Sequence, residues 1–233
     1  MLLRLLLQAI FIVILPAAVQ QNHPPQVIIK SPADNSEFTP AERVHYIVSV
    51  SDREDGESRF GEINKKEVLM QIANITMAGQ EKRKAGDHGI DKGLIDMMRS
   101  NCLSCHSFDR QSTGPSFRQI FEQYKAQRSV LSRLEKRIQS GSRGVWGNQP
   151  MPSHPELSDD EIRKMAEWIL FRAGKGEMQY YVGTEGFISF DSIRLKGSRN
   201  VYILSASYTD HGINGKNRLT GEYSVTISDS IGK

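Results

Sequence analysis

The chain has 233 residues, of which 38% are hydrophobic, 24% charged and 8% aromatic, and its formal net charge is +3 at pH 7. This composition excludes an intrinsically disordered chain and a collagen-like repeat, and the length suits one large domain or two small ones. The net charge is too small to indicate a nucleic-acid-binding protein. The sequence contains two cysteines, so at most one disulfide can form.

Residues 1–20 have the pattern of a secretory signal peptide. Arg4 precedes an apolar run from Leu5 to Leu15, and Pro16 is followed by small residues that suit a cleavage site. The run has about 11 residues, against the roughly 20 that a helix needs to cross a bilayer. An uncleaved N-terminal anchor is the alternative. No later stretch is apolar enough to span, so we expect a periplasmic or otherwise exported protein without an integral membrane span after cleavage.

Residues 24–80 alternate between apolar and polar side chains, as half-buried strands do. The alternation is clearest over residues 44–50 and 68–72, and turn-forming residues separate the two stretches. Residues 80–91 are polar and contain glycine, which predicts a linker. This first segment therefore predicts β structure.

Residues 90–174 change to helical spacing, with apolar stripes that predict four helices. The stripes begin at Leu94, Phe117, Leu131 and Ile162. The first stripe is Leu94, Ile95 and Met98. Two N-terminal capping boxes are predicted, Ser116 with Gln119 and Ser158 with Glu161.

A strand pattern returns over residues 185–230. About 50 residues are few for an independent β domain. We therefore expect these strands to complete one sandwich with the N-terminal strands, the helical domain being an insertion. Two separate β modules are the alternative. The predicted fold class is α+β in several parts: an all-α domain of four helices and a β-sandwich-like region made by N- and C-terminal strands.

The segment most informative about chemistry is Cys102-Leu103-Ser104-Cys105-His106. Two thiols three positions apart can form thioethers with the two vinyl groups of haem, and His106 then becomes an axial ligand of the iron. This use of both cysteines leaves none for a disulfide. The alternatives are a redox dithiol, which needs a thioredoxin-like α/β setting, and half of a zinc site, which lacks a second cysteine pair.

Met151 is the predicted second axial ligand, because Pro150 and Pro152 stiffen the glycine-rich loop that carries it. His154, three residues later, can replace Met151 only if the loop changes shape. Three other methionines compete less well, because of their chain position or core packing: Met97, Met98 and Met165. The predicted apolar shell of the haem consists of Phe117, Phe121, Leu134 and Ile169.

Residues 90–174 resemble a class I mono-haem cytochrome c of the small bacterial type. The matching segments, in order, are 101–106, 114–116, 144–147, 150–152 and 168–170. The resemblance implies one haem c, covalently bound at Cys102 and Cys105, with His106 and Met151 as axial ligands.

The resemblance also implies further hydrogen bonds, to the axial histidine and to the haem propionates. The carbonyl of Pro115 would accept a hydrogen bond from the ring N–H of His106, which fixes the tautomer. Trp146 and Arg143 would bond a haem propionate. Core packing is the alternative for Trp146, and a solvated surface charge is the alternative for Arg143.

The flanking segments carry a further resemblance. Residues 48–56 are similar to immunoglobulin-like modules of the PKD type, and residues 206–210 and 219–221 to β modules fused to cytochromes c. Such arrays are often joined to exported pyrroloquinoline-quinone sugar dehydrogenases. The resemblance implies a separate electron-accepting subunit, because 233 residues leave no room for the dehydrogenase itself. An acidic turn here is either a calcium site or a solvated turn: Asp52, Glu54 and Asp55.

Segment 101–176 contains 12 Lys and Arg against 8 Asp and Glu. Its basic residues either attract an acidic redox partner or form solvated helix faces: Arg110, Arg118, Lys125, Arg128, Arg133, Lys136 and Arg137.

His–Met ligation leaves the iron no open position, so we expect an electron carrier and not an enzyme. Its expected partners are a periplasmic dehydrogenase, such as a quinoprotein sugar dehydrogenase, and a respiratory acceptor such as a terminal oxidase. Two alternatives stay open. One is a peroxidase-like enzyme in which Met151 detaches. The other is a β region that binds a sugar polymer or a partner protein, with the haem as an auxiliary.

Overall fold

The structure is a computed structural model that describes residues 21–39, 42–76, 91–124, 127–176 and 178–230. The predicted signal peptide and nearly all of the predicted linker lie outside these ranges. The helices are α1 (Lys92–Arg99), α2 (Phe117–Tyr124), α3 (Leu131–Ser140) and α4 (Asp159–Phe171). The strands are β1 (Gln26–Ser31), β2 (Ser36–Phe38), β3 (Val44–Asp52), β4 (Gly56–Glu57), β5 (Leu69–Asn74), β6 (Met178–Val182), β7 (Glu185–Ile188), β8 (Val201–Thr209) and β9 (Thr220–Asp229).

Two sheets each combine strands from before and after the helical segment. In the first sheet, β3 pairs antiparallel with β1 on one side and with β4 and β7 on the other. The second sheet has the order β2-β9-β8-β5-β6, in which β2 runs parallel to β9 and the other pairs are antiparallel.

The two sheets share one apolar core. Alternation along β3 places Tyr46, Val48 and Val50 on the buried side, as expected when successive side chains point to opposite faces of a strand. Ile72 of β5 and Leu204 of β8 belong to the same cluster from the second sheet. The apolar alternation of the sequence therefore builds a core between the sheets.

The helical segment is inserted between two neighbouring strands, β5 and β6. Ala73, near the end of β5, pairs with Met178 at the start of β6. All six residues of β5 are buried, since Met70 and Ile72 face the core between the sheets while Leu69 joins the helical core. The second sheet thus has apolar contacts on both faces of β5.

The four helices surround a second core, in which α1 lies close against α4. A Cβ at Gly93 would stand 2.2 Å from the carbonyl oxygen of Lys164, so this approach requires glycine. Both predicted capping boxes are present. The N–H of Ser116 donates to Oε1 of Gln119 at 2.8 Å, and the N–H of Gln119 donates back to the Ser116 hydroxyl at 3.1 Å; Ser158 and Glu161 make the same exchange.

Two details of the sequence analysis are wrong. Strand structure after the helices begins at Met178, earlier than the predicted residue 185, because Met178–Val182 pairs with β5. In the first helical stripe, Met97 is buried with Leu94 and Met98, while Ile95 is only half-buried.

Within the described residues, no helix combines the length and hydropathy that crossing a membrane requires.

Candidate functional site

A cavity of about 310 Å³ lies among the four helices and their loops. Its wall contains every site residue predicted from the sequence: Cys102, Cys105, His106, Pro115, Arg143, Trp146 and Met151. These residues come from three separate stretches of the chain, so the fold brings them together.

A tight turn presents the two thiols and the imidazole. Asn101 begins it with a φ of 59°, in the left-handed region that asparagine tolerates. The backbone N–H groups of Cys105 and His106 then donate to the carbonyl oxygen of Cys102, at 3.2 and 2.9 Å. The turn places all three functional side chains on the cavity wall.

The ring of His106 is held on two sides. Its Nδ1 lies 2.6 Å from the carbonyl oxygen of Pro115, and its plane is 18° from that of Phe117, with centroids 5.5 Å apart. A carbonyl can only accept, so Nδ1 carries the proton and Nε2 keeps its lone pair for a metal. A Cβ at Gly114 would lie 2.7 Å from Cε1 of this ring, so glycine is needed beside it.

Met151 is fixed on the opposite loop by a short antiparallel bridge. Its N–H donates to the carbonyl of Ser142 at 2.8 Å, and the N–H of Ser142 donates back at 3.1 Å. The bridge holds the stretch between Pro150 and Pro152 against the end of α3. The thioether is thereby presented from a backbone with little freedom.

The cavity wall is largely apolar. Phe117, Leu134 and Ile169 line it as the sequence predicts. Phe121 does not, because its ring packs against Gly174, where a Cβ would stand 1.9 Å from the ring. Phe121 thus supports the helical core and not the cavity.

The buried position of Cys102 does not favour a redox-active thiol. Burial raises the pKa of Cys102 to about 11, whereas redox-active thiols have lowered pKa values. The zinc alternative also finds no support, since the described residues contain no group of three or more His, Cys, Asp or Glu side chains placed to hold a metal ion.

Trp146 and Arg143 lie at the exposed rim of the cavity. Trp146 is 38% exposed, which does not support the core-packing interpretation of this residue. Arg137, which the sequence places only among the basic surface residues, lines the cavity and donates a hydrogen bond to the hydroxyl of Tyr124. No motif marks Arg137, because its contact is with another helix.

Several of the basic residues counted in the sequence already have partners. Arg118 forms an ion pair with Asp109 at 2.6 Å, and the guanidinium of Arg128 lies over the ring of Phe171 at 5.4 Å. Lys125 lies outside the described residues. Arg118 and Arg128 are therefore engaged in contacts within the chain.

The acidic turn of the β region is organised by hydrogen bonds. Oδ1 of Asp52 accepts from the N–H groups of Glu54 and Asp55, at 2.9 and 2.8 Å. Glu54 also pairs with Nδ1 of His23 at 2.7 Å. Asp55 bonds the hydroxyl of Tyr208 at 2.7 Å. Asp52 thus stabilises the turn itself, while Glu54 and Asp55 connect it to other parts of the β region.

The residues around the cavity fit a covalently attached haem. Two thiols, an imidazole with a free Nε2 and a thioether share one apolar wall, and a glycine leaves space at the imidazole. The volume is at the lower end of the range of about 300–1,000 Å³ that ligand pockets occupy. The donor set is the one expected for a haem with nitrogen and sulfur axial ligands.

Comparison with known proteins agrees with this chemistry. Residues 94–171 match the family model described as cytochrome c. Cytochrome c-551 of Pseudomonas aeruginosa is 38% identical over 69 residues, which are 30% of this chain and 65% of that protein. Cytochrome c-551 of Azotobacter vinelandii is 38% identical over 69 residues, which are 30% of this chain and 83% of that protein.

Among solved structures, wild-type Nitrosomonas europaea cytochrome c552 is 32% identical, with 34% of this chain and 96% of that chain covered and a TM-score of 0.33. Cytochrome c domains bind haem c covalently. Through its helical segment, this chain belongs to the cytochrome c family.

Proposed function

We propose that the chain is an exported mono-haem cytochrome c that carries single electrons between redox partner proteins. One observation carries the proposal: His106 and Met151 line the same cavity as the two cysteines. If both side chains bind the iron, no coordination position would be left for a substrate. The bound haem would supply a one-electron couple, and a methionine ligand raises its potential.

The chain's own residues would each do one task. Cys102 and Cys105 would hold the cofactor, and Nε2 of His106 would bind the iron while the carbonyl of Pro115 keeps the proton on Nδ1. Trp146 and Arg143 stand at the rim, where propionate groups can accept hydrogen bonds from them. The apolar wall excludes water, which favours the reduced, less charged state.

The location and partners belong to the same proposal. The signal-like pattern of residues 1–20 supports the periplasm. The resemblance of the flanking segments supports a quinoprotein sugar dehydrogenase as donor. Electron-transfer contacts are small and weak, so we expect a small partner surface. We place it at the exposed rim of the cavity near Trp146.

The decisive experiment is expression of the full chain with export and haem-ligation machinery. We expect red protein whose colour resists acid acetone, with a low-spin spectrum and a reversible one-electron couple. Cys105→Ala should leave the haem poorly attached, whereas Ser104→Ala, one position away, should not change the attachment. Colourless protein, or pigment extracted by acid acetone, would refute the proposal. Carbon monoxide binding by the ferrous wild type would instead favour the peroxidase-like enzyme.

Binding by the β region is a second candidate function. The outer face of the first sheet exposes Ile28, Ile47 and Phe187, the last of which is 60% exposed and stacked on His45 at 4.8 Å. Exposed aromatic rings are common contacts for sugars and proteins. Co-sedimentation of the full chain with insoluble polysaccharides, compared between wild type and Phe187→Ala, tests this function. Equal retention of both proteins would argue against it.

A further inference from the structure

A second side chain that can bind a metal lies on the same loop as Met151. His154 follows Met151 by three residues and lines the same cavity. Its side chain is 16% exposed. The other described histidines, apart from His106, belong to the β region. Within the described part of the chain, His154 is therefore the one imidazole at the cavity to which the proposed function gives no role.

The backbone anchors His154 and Met151 to neighbouring positions of the chain. The N–H of His154 donates to the carbonyl of Gln139 at 3.1 Å, and Met151 is bridged to Ser142. Both residues are thus attached to the last turn of α3 or the residues just after it. His154 can therefore stay at the cavity, with this attachment intact, when the thioether leaves the iron.

The imidazole of His154 is oriented by a carboxylate. Its Nδ1 lies 2.8 Å from Oε1 of Glu156, and no other described residue forms a hydrogen bond with its Nε2. A histidine whose second nitrogen bonds a carboxylate has the arrangement that is usual for metal-binding histidines, because the partner fixes the tautomer and the ring plane. The lone pair on Nε2 of His154 is therefore available to bind a metal.

We propose that His154 is a reserve axial ligand, which takes the position of Met151 when the thioether leaves the iron. The bond between the Met151 sulfur and the iron breaks, and the lone pair of Nε2 forms a bond in its place. The proton stays on Nδ1, bonded to Glu156, and no electron is gained or lost. This inference rests on the proposed function, since it assumes iron bound to His106.

The exchange would protect the carrier from unwanted chemistry. A second imidazole keeps the sixth position closed, so the iron does not become open to oxygen or peroxide. Because methionine ligation raises the potential, replacement by histidine lowers it. Two further thioethers, of Met97 and Met165, line the cavity. Both side chains are 1% exposed and packed in the helical core, which disfavours their movement to the iron.

The test uses the full-length holoprotein and carbon monoxide as the probe. Met151→Ala should lose the far-red methionine–iron band, stay low-spin with a lowered potential and bind carbon monoxide poorly. Met151→Ala with His154→Ala should be high-spin and bind carbon monoxide readily. His154→Ala alone should keep the methionine band. Adding Glu156→Gln to Met151→Ala should weaken the closed state about tenfold, because the ring loses its charged partner.

Two results would overturn the reserve-ligand proposal while leaving the proposed function intact. The first is carbon monoxide binding by Met151→Ala as strong as in the double variant. The second is a low-spin double variant, which would assign the position to Met97 or Met165. Circular dichroism and haem yield show whether Met151→Ala folds, and Met151→Leu, which keeps the apolar volume, replaces it if it does not. A colourless wild type would instead refute the function itself.

Discussion

The ring of Tyr180, on strand β6, stacks against the ring of Phe108 in the loop between the haem-attachment turn and α2, with centroids 4.9 Å apart and planes at 28°. Tyr180 also meets the edge of Trp168 on α4, at 5.4 Å and 74°. The cytochrome c family model matches residues 94–171. A strand outside the family segment therefore completes the aromatic core of the helical part.

The aromatic cluster reaches the proposed iron ligand. Phe117 contacts Trp168 at 5.8 Å and stacks on His106 at 5.5 Å. Tyr180 is thus separated from the imidazole by two rings. The β region and the candidate site are therefore connected by packed aromatic side chains as well as by the polypeptide chain.

Tyr180→Ala should destabilise the whole chain. The substitution removes two aromatic contacts and the partly buried ring that makes them, and the loss should cost about 2 kcal/mol of unfolding free energy. Thermal unfolding of the holoprotein, followed by far-UV circular dichroism, measures the loss. Tyr223→Ala, at an exposed position of β9, is the matched control and should change stability by less than about 0.5 kcal/mol. Equal effects of both substitutions would show that the interface contributes nothing.

Gly114→Ala should disturb the proposed proximal ligand. The new methyl group would stand 2.7 Å from Cε1 of His106, so the ring must move and its hydrogen bond to Pro115 weakens. We expect about tenfold less holoprotein, by analogy with the loss of other groups that orient metal ligands. The absorbance ratio of haem to protein measures it. Ser112→Ala, in the same loop and exposed, should keep the wild-type ratio; a full haem complement in Gly114→Ala would contradict this account.

The capping box of α4 predicts a pH dependence. Hydrogen bonds from the backbone N–H and hydroxyl of Ser158 lower the pKa of Glu161. A carboxylate with a lowered pKa in the folded state adds stability above its unfolded pKa, and loses it as the pH falls through the folded pKa. The difference in unfolding free energy between wild type and Glu161→Gln should therefore be largest near neutral pH and vanish in acid. Denaturant titrations at several pH values check this.

The same cap can be tested without a charge. Ser158→Ala should cost about 1 kcal/mol, the usual value for loss of an N-cap side chain. Ser153→Ala, at an exposed position before the helix, serves as the comparison. A pH-independent gap for Glu161→Gln, or no loss in Ser158→Ala, would show that the cap does not contribute to stability.

The shared sheets predict fragment behaviour. Deleting residues 21–76 removes β5 from between β8 and β6, so unpaired strand edges should make the remaining chain aggregate. Co-expression of residues 21–76 and 91–230 as two chains should restore a monodisperse complex, because the strands can pair without the connection. Size-exclusion chromatography measures both results. A monomeric, well-folded 91–230 fragment would show that the two halves are independent.

Much of the site could be predicted from local sequence. Cys102, Cys105 and His106 are neighbours in the chain, and their chemistry depends on that spacing alone. The caps at Ser116 and Ser158 are equally local, because a capping box needs just four residues. The place of Arg137 on the cavity wall was not predictable in this way, since other helices and loops decide what its side chain faces.

The sequence by itself determined the haem-attachment turn, the proline-flanked Met151 and the change from strand to helix periodicity, because each depends on residues within a few positions of one another. Only the tertiary structure decided that β5 and β6 are neighbours across the inserted helices, that β7 joins β3, and that Tyr180 completes the aromatic core. These pairings join distant parts of the chain. They are selected by the burial of complementary apolar faces, which no local pattern specifies.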